Sequence, residues 1–203
     1  MQPDGDETEF DRKWNKVRSD AHDFSKQLTV ALEKERLAPG QLIDEYVFAK
    51  QNLARAMKSA ICSLTTAEHR ETFDALHQRI AAEVRRRYAH AIPEKYLRVK
   101  YRSDVHVDLF ATLIRHQGVE VEADILRLVT ADSVHAERRL RELRELGFDI
   151  TWKTTKSISK YKLNSLDLDF QMCASLVANK IKGDKGLVVS KRREYLAILG
   201  VND

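Results

Sequence analysis

From Phe10 onward the apolar positions fall at Phe10, Trp14, Val17, Ala21, Phe24, Leu28 and Ala31, spaced alternately by four and three. That spacing is a heptad seam and predicts an amphipathic helix over residues 8–36, about 43 Å long at 1.5 Å per residue. The alternation resumes at Leu42, Tyr46, Ala49, Leu53, Ala56 and Ala60, after Leu37-Ala38-Pro39-Gly40, which reads as a helix break. A third helix is expected near Thr65, where Thr65-Thr66-Ala67-Glu68 fits a capping box. It carries Phe73, Leu76, Ile80, Val84 and Tyr88 on one face and should end before Pro93.

Helices this long either form an intramolecular bundle or pack against a second chain. Their seams mix aromatic and Ala positions into what would be a clean Leu/Ile series, which argues against a pure parallel zipper. The oligomerising bundle is the expected form, as a homodimer or other homo-oligomer held through residues 10–60. His22, His69, His77 and His90 are expected to be exposed helix histidines, because His69 and His77 stand two turns apart and no HExxH or Cys companion is present. Arg85-Arg86-Arg87 suits the carboxyl end of a helix, with phosphate contact as the alternative.

After Pro93 the periods shorten. Tyr96 to Tyr101 reads as a connector, and Ser103 or Asp104 can cap a helix lined by Leu109, Phe110, Leu113 and Ile114 that Gly118 ends. Val119-Glu120-Val121 is a short extended segment, and Ala123 to Val129 a small helix. A turn at Thr130-Ala131-Asp132-Ser133 leads to a helix from Val134 to Leu146, with Ala136, Leu140 and Leu143 inward and Gly147 just past its end. Phe148 to Lys153 alternates as a half-buried strand, Thr154 to Ser159 is a polar turn, and Ser159 to Leu163 alternates back. Leu166 to Ile181 reads as a further helix. Ser190 is placed to cap the last one, whose first turn holds Lys191, Arg192 and Arg193.

Helix, short strand, helix, turn, helix, strand, wing, strand is the winged helix-turn-helix order. The stretch ADILRLVTADSVHAERRLRELRELGFDITWKTTKSISKYKL resembles the winged-helix domains of bacterial DNA-binding proteins. Within it, RRLRELRELGFDI resembles winged helices of restriction and defence-system proteins and of transcription regulators. The resemblance covers about a third of the chain, and residues 1–92 carry none. It implies duplex DNA as partner, with the 134–146 helix in the major groove and the first half of that helix at base edges. Ser133, His135, Arg138 and Arg139 are therefore the candidate base contacts, since an arginine can bond guanine with two parallel N–H groups. Arg141, Lys153, Lys156, Lys160 and Lys162 are the candidate phosphate contacts, and the wing can also reach a minor groove. The alternative use of the same helix is a solvated face, with Arg138, Arg141, Glu142 and Glu145 pairing at three- and four-residue spacings.

Charge supports the same region. The chain of 203 residues has a net charge of +4, yet residues 1–92 balance at 15 Lys/Arg against 15 Asp/Glu. Residues 133–164 carry 8 against 4, and a local excess of that kind suits a polyanion. Charged residues are 33% and apolar ones 43%, with 7 Gly and 3 Pro, which argues against linker-dominated or many-turned all-β classes. No apolar run reaches the roughly 18 residues of a membrane span, and the start of the chain reads as no secretory signal. Cys62 and Cys173 form no CxxC pair and fit buried thiols in a reducing, cytoplasmic compartment.

Enzymatic constellations are missing from the pattern. Asp149 to Lys153 lacks the Glu-x-Lys companion of a nuclease, Glu120-Val121-Glu122 has no adjacent Lys, and His106-Val107-Asp108 reads as structural. There is no GxGxxG, GxxxxGK[ST] or GxSxG segment. The expectation is a non-enzyme without cofactor or metal. It is mainly α: a helical domain at 1–92, a connector at 93–103, a winged helix at 104–164 with a small hairpin wing, and a helical extension at 165–203. The alternative function is an assembly protein whose helices recruit other proteins.

Overall fold

Phe73, Phe110 and Phe148 lie far apart in the sequence and meet as three rings, with centroids 5.4, 5.8 and 4.7 Å apart. They belong to three different elements of the computed structural model, which describes residues 9–34, 38–132 and 135–201. The helices are α1 (Glu9–Leu32), α2 (Pro39–Ser63), α3 (Ala67–Tyr88), α4 (Glu94–Leu97), α5 (Asp104–Arg115), α6 (Ala123–Val129), α7 (Ala136–Glu145), α8 (Met172–Gly183) and α9 (Val189–Ile198). The strands are β1 (Val121–Glu122), β2 (Phe148–Thr155) and β3 (Ile158–Leu168). The chain is thus mainly helical with one small antiparallel sheet. No helix among the described residues is long and apolar enough to cross a membrane.

The chain separates into two compact units, residues 1–66 with 124–136 and residues 67–123 with 137–203. In the first unit α1 and α2 run antiparallel: the Phe24 and Phe48 rings meet edge-on at 5.9 Å, and Gln27 Nε2 donates to Glu45 Oε2 at 3.0 Å. The heptad positions Val17, Ala31, Ala49 and Ala56 are buried, so the small residues of the seam let the two backbones approach. Pro39 opens α2 instead of only breaking α1, because a first-turn proline gives up an N–H that has no helical partner. Lys50 Nζ reaches Asp132 Oδ2 at 2.8 Å.

The second unit is built on α3, which the hydrophobic pattern groups with residues 1–92. Its Phe73 is fully buried against α5 and β2, and this packing joins it to the elements that follow. Burying one such aromatic stabilises by roughly 1.5–3 kcal/mol. His77 is not an exposed helix histidine. It is buried beside the Phe73 ring, and its Nε2–H donates to the Lys100 carbonyl at 3.0 Å. The residues between Pro93 and Lys100 are more than a connector, since Tyr96 and Leu97 of α4 are both buried. Tyr96 Oη and Lys95 Nζ donate to Asp184 Oδ2 at 2.7 and 2.9 Å. These bonds hold the Asp184 carboxyl at about 2, with Lys95 the larger cause.

The sheet order is β1-β3-β2. Lys156 and Ser157 both have positive φ (50° and 66°), the two-residue hairpin geometry that matches the twist of the flanking strands. β3 runs to Leu168, which corrects the helix expected from Leu166. Leu168 pairs with Phe148 across the sheet, and the Asp169 amide donates to the Gly147 carbonyl at 2.9 Å. These partners hold the segment extended, and α8 begins only after Asp169 Oδ1 accepts the Gln171 amide at 2.9 Å. Gly147 itself is required, because at φ +93° an added Cβ would lie 2.5 Å from the Asp169 carbonyl oxygen. Over 104–168 the elements follow the expected order of helix, short strand, helix, helix and hairpin.

Candidate nucleic-acid interface

α7 forms from AERRLRELRE because Leu140 and Leu143 recur on one side of a run of strong helix formers. Ala136, Leu140 and Leu143 are buried as the pattern expects. Arg138 and Arg141 project outward with side chains 59% and 60% exposed, and Arg139 is 34% exposed. His135 is exposed just before the helix, and Ser133 lies outside the described residues.

Glu142 does not join the outward side. Its carboxylate is buried and gathers three donors: Arg138 Nε at 3.1 Å, Arg139 Nη1 at 2.7 Å and His106 Nε2 at 2.9 Å. The Ser103 amide and hydroxyl approach His106 Nδ1 at 3.3 and 2.7 Å, so Nδ1 accepts and Nε2 carries the proton that Glu142 receives. Burial pushes the His106 imidazolium down, and this outweighs the pull of Glu142. Burial raises the Glu142 carboxyl, yet the Arg139, His106 and Arg138 hydrogen bonds outweigh it and leave it below the usual range. A neutral histidine thus sits beside an ionised glutamate. Two of the candidate base-contacting arginines each commit a donor to that glutamate and keep other guanidinium N–H groups outward. Arg141 takes the expected helical pairing, with Glu145 Oε1 at 3.7 Å.

On the hairpin, Lys153 pairs with Lys160 across β2 and β3, and Thr151 with Lys162, so the three lysines share one face of the sheet. β1 and the residue before it bring acids to them. Lys153 Nζ is ion-paired with Glu120, and Lys160 Nζ stands 3.6 Å from Glu122. The Lys153 bond, with Lys160 and Lys162 nearby, holds the Glu120 carboxyl low. Two candidate phosphate contacts are therefore compensated within the sheet. Lys156 sits exposed in the turn, and Lys162 is half-buried.

Glu142 and His106 are the residues that sequence reasoning missed as a centre. Only the four-residue Arg138–Glu142 spacing signalled it, because the histidine arrives from another helix. Trp152 is in phase with the buried Phe148 and Ile150 yet is 53% exposed. Arg85-Arg86-Arg87 is engaged locally: Arg85 with Glu94 at 3.1 Å, Arg86 and Arg87 with Glu83 at 2.7 and 2.6 Å. The Arg86 and Arg87 bonds bring the Glu83 carboxyl to about 2. In the basic turn of α9, Lys191 pairs with Glu194 at 2.8 Å, and Arg192 Nη2 donates to the Asp184 carbonyl at 3.0 Å. Among the described residues no group of three or more His, Cys, Asp or Glu side chains could hold a metal ion. Cys62 and Cys173 are not joined in a disulfide; burial pushes Cys173 up, while Cys62 is only partly buried. No family model, no curated protein and no solved structure matches this chain.

Proposed function

We propose that the protein binds duplex DNA, with α7 directed at the major groove and the β2–β3 hairpin at the adjoining backbone, as a transcription regulator or a DNA-targeting component of a restriction or defence system. The observation that carries this reading is the exposed cations on two elements of the second unit, Arg138 and Arg141 on α7 and Lys153 and Lys156 on the hairpin, the first three also held by Glu142, Glu145 and Glu120. Counterion release from phosphates gives such cations their affinity, and the donors of Arg138 and Arg139 not committed to Glu142 supply base readout. The setting of defence or transcription rests on the local resemblance of residues 123–163.

The same reading makes the protein a homodimer through α1 and α2. Ile43, Tyr46 and Val47 stand on one stripe of α2 and are 61%, 53% and 42% exposed. Leu28, Tyr46, Leu53, Met57 and Leu128 line an apolar groove of about 420 Å³ in the same unit. A contiguous apolar surface of this kind suits a partner rather than water. A two-fold dimer matches a palindromic site, one copy to each half-site.

These apolar side chains also support the second reading, an assembly protein that recruits other chains. Titration of the protein into a fluorescein-labelled random duplex, at several salt concentrations, separates the two. DNA binding predicts saturation whose affinity falls linearly on a log–log salt plot. Absence of any anisotropy change at low salt leaves the assembly reading.

A further inference from the structure

A cavity of about 80 Å³ opens within the second unit, between the segment Tyr96–Tyr101 and α8. Its floor is apolar, with Val84, Leu97 and Val177 all buried. Its rim is cationic, formed by Arg98, Lys100 and Lys180. No carboxylate among the described residues forms an ion pair with any of the three. The nearby Glu94 is paired with Arg85 at 3.1 Å. Lys180 Nζ donates to the Arg98 carbonyl and is half-buried, and burial together with Lys100 and Arg98 pushes its ammonium down. Three cations over an apolar floor leave an uncompensated positive potential at the mouth of a pocket.

We propose that this cavity binds a small aliphatic oxyanion, its apolar end on Val84, Leu97 and Val177 and its carboxylate or phosphate head between Arg98, Lys100 and Lys180. A dry cavity of about 150 Å³ accepts a six-carbon ring, so this one suits a body of about three or four carbons. The head neutralises the rim through charge-assisted hydrogen bonds.

Tyr101 connects the pocket to α7. It lines the cavity, its hydroxyl donates to Glu145 Oε2 at 3.0 Å, and its ring lies 5.8 Å from that of His106. It also holds φ +67°, a left-handed conformation that a bulky side chain adopts only where its surroundings enforce it. The His77 bond to the Lys100 carbonyl fixes the preceding residue. Occupation of the cavity shifts the 98–101 segment and, through Tyr101, the helix that the proposed function sends to DNA. The regulatory consequence rests on that function, while the pocket and its link to α7 do not.

Calorimetric titration of the full chain with butyl phosphate, butyrate, inorganic phosphate and butylamine tests the site without DNA. The first two should bind saturably, inorganic phosphate more weakly for want of a body, and butylamine not at all. Lys100→Gln, an exposed position that leaves the fold intact, should weaken binding about tenfold, and Lys180→Met by at least as much. Amide hydrogen exchange over residues 136–145 should slow with butyl phosphate in the wild type. In Tyr101→Phe the ligand should still bind and that slowing should vanish. Absence of saturable heat up to about 10 mM of both oxyanions, or equal affinity in Lys100→Gln, overturns the site. Unchanged exchange in the wild type overturns the link to α7. Loss of duplex affinity in Lys100→Gln without any oxyanion binding assigns the cations to the DNA backbone and overturns the pocket. Failure of the wild type to bind DNA while butyl phosphate binds and slows exchange removes the proposed function alone.

Discussion

His106 on α5 donates its Nε2–H to the carboxylate of Glu142 on α7 at 2.9 Å, with side chains only 3% and 5% exposed. The bond ties the candidate reading helix to the interior of the second unit. It also sets the rotamers from which Arg138 and Arg139 present their remaining donors. Removing Glu142 strands a buried imidazole N–H and releases both arginines. Breaking a buried ionic network in this way costs about 3–5 kcal/mol. Glu142→Ala should show that loss in urea unfolding. A loss below about 0.5 kcal/mol, the usual range of an exposed substitution, refutes the network.

The same pair sets an acid response. His106 has a folded pKa below its ordinary 6.5, so the unfolded chain takes up the proton first, and stability falls as pH drops below that value. Glu142 is likewise depressed from 4.5, so its contribution is intact above that pH and is lost as pH falls further. Two successive losses are expected in thermal melts on going from pH 7.5 to 3.5. His106→Gln should remove the upper one. Melting temperatures that stay flat between pH 7 and 5 in the wild type contradict the buried neutral histidine.

On DNA, Arg138→Ala should cost about 1–3 kcal/mol on a preferred duplex and much less on a random one, because a lost base contact removes discrimination. Lys156→Ala, free of the acids that face Lys153 and Lys160, should weaken all duplexes alike and flatten the salt slope by about one unit. Anisotropy titrations at fixed and varied salt read both. An unchanged affinity ratio in Arg138→Ala and Arg139→Ala removes α7 from sequence reading.

For the dimer, the informative positions are exposed ones. Phe24 is half-buried and packs edge-on against Phe48 of α2, so Phe24→Asp also removes a contact within the unit. Ile43→Asp and Tyr46→Asp change only the outer stripe of α2 and should yield folded monomers by light scattering, with helicity by circular dichroism retained. A wild-type monomer at tens of micromolar, roughly the range of a modest interface, ends the dimer reading.

Gly147→Ala tests the turn that ends α7 and accepts the Asp169 amide. The left-handed φ and the 2.5 Å approach to a backbone oxygen leave no relaxed position for a methyl group. A loss of about 2 kcal/mol or more is expected in thermal or urea unfolding. A neutral outcome shows that the β3–α8 junction yields.

What the sequence determined is local. The heptad positions Val17, Ala31, Ala49 and Ala56 are buried, α6 spans Ala123–Val129 as its pattern predicts, and Gly147 stands past α7 where a left-handed residue is needed. Such features follow from side-chain period and backbone sterics within a few residues, which is information that the chain carries in order. The tertiary structure decided whatever depends on partners distant in sequence. Glu142 reads as one more charge on a polar helix face until His106, 36 residues earlier, arrives beside it. Leu166 and Leu168 fit a helix until Phe148 offers a strand to pair with. Arg98, Lys100 and Lys180 form a cationic rim only because α8 packs along the segment after α4. Hydrophobic period fixes which side of an element turns inward, and only packing fixes what that side meets and which charges are drawn in with it.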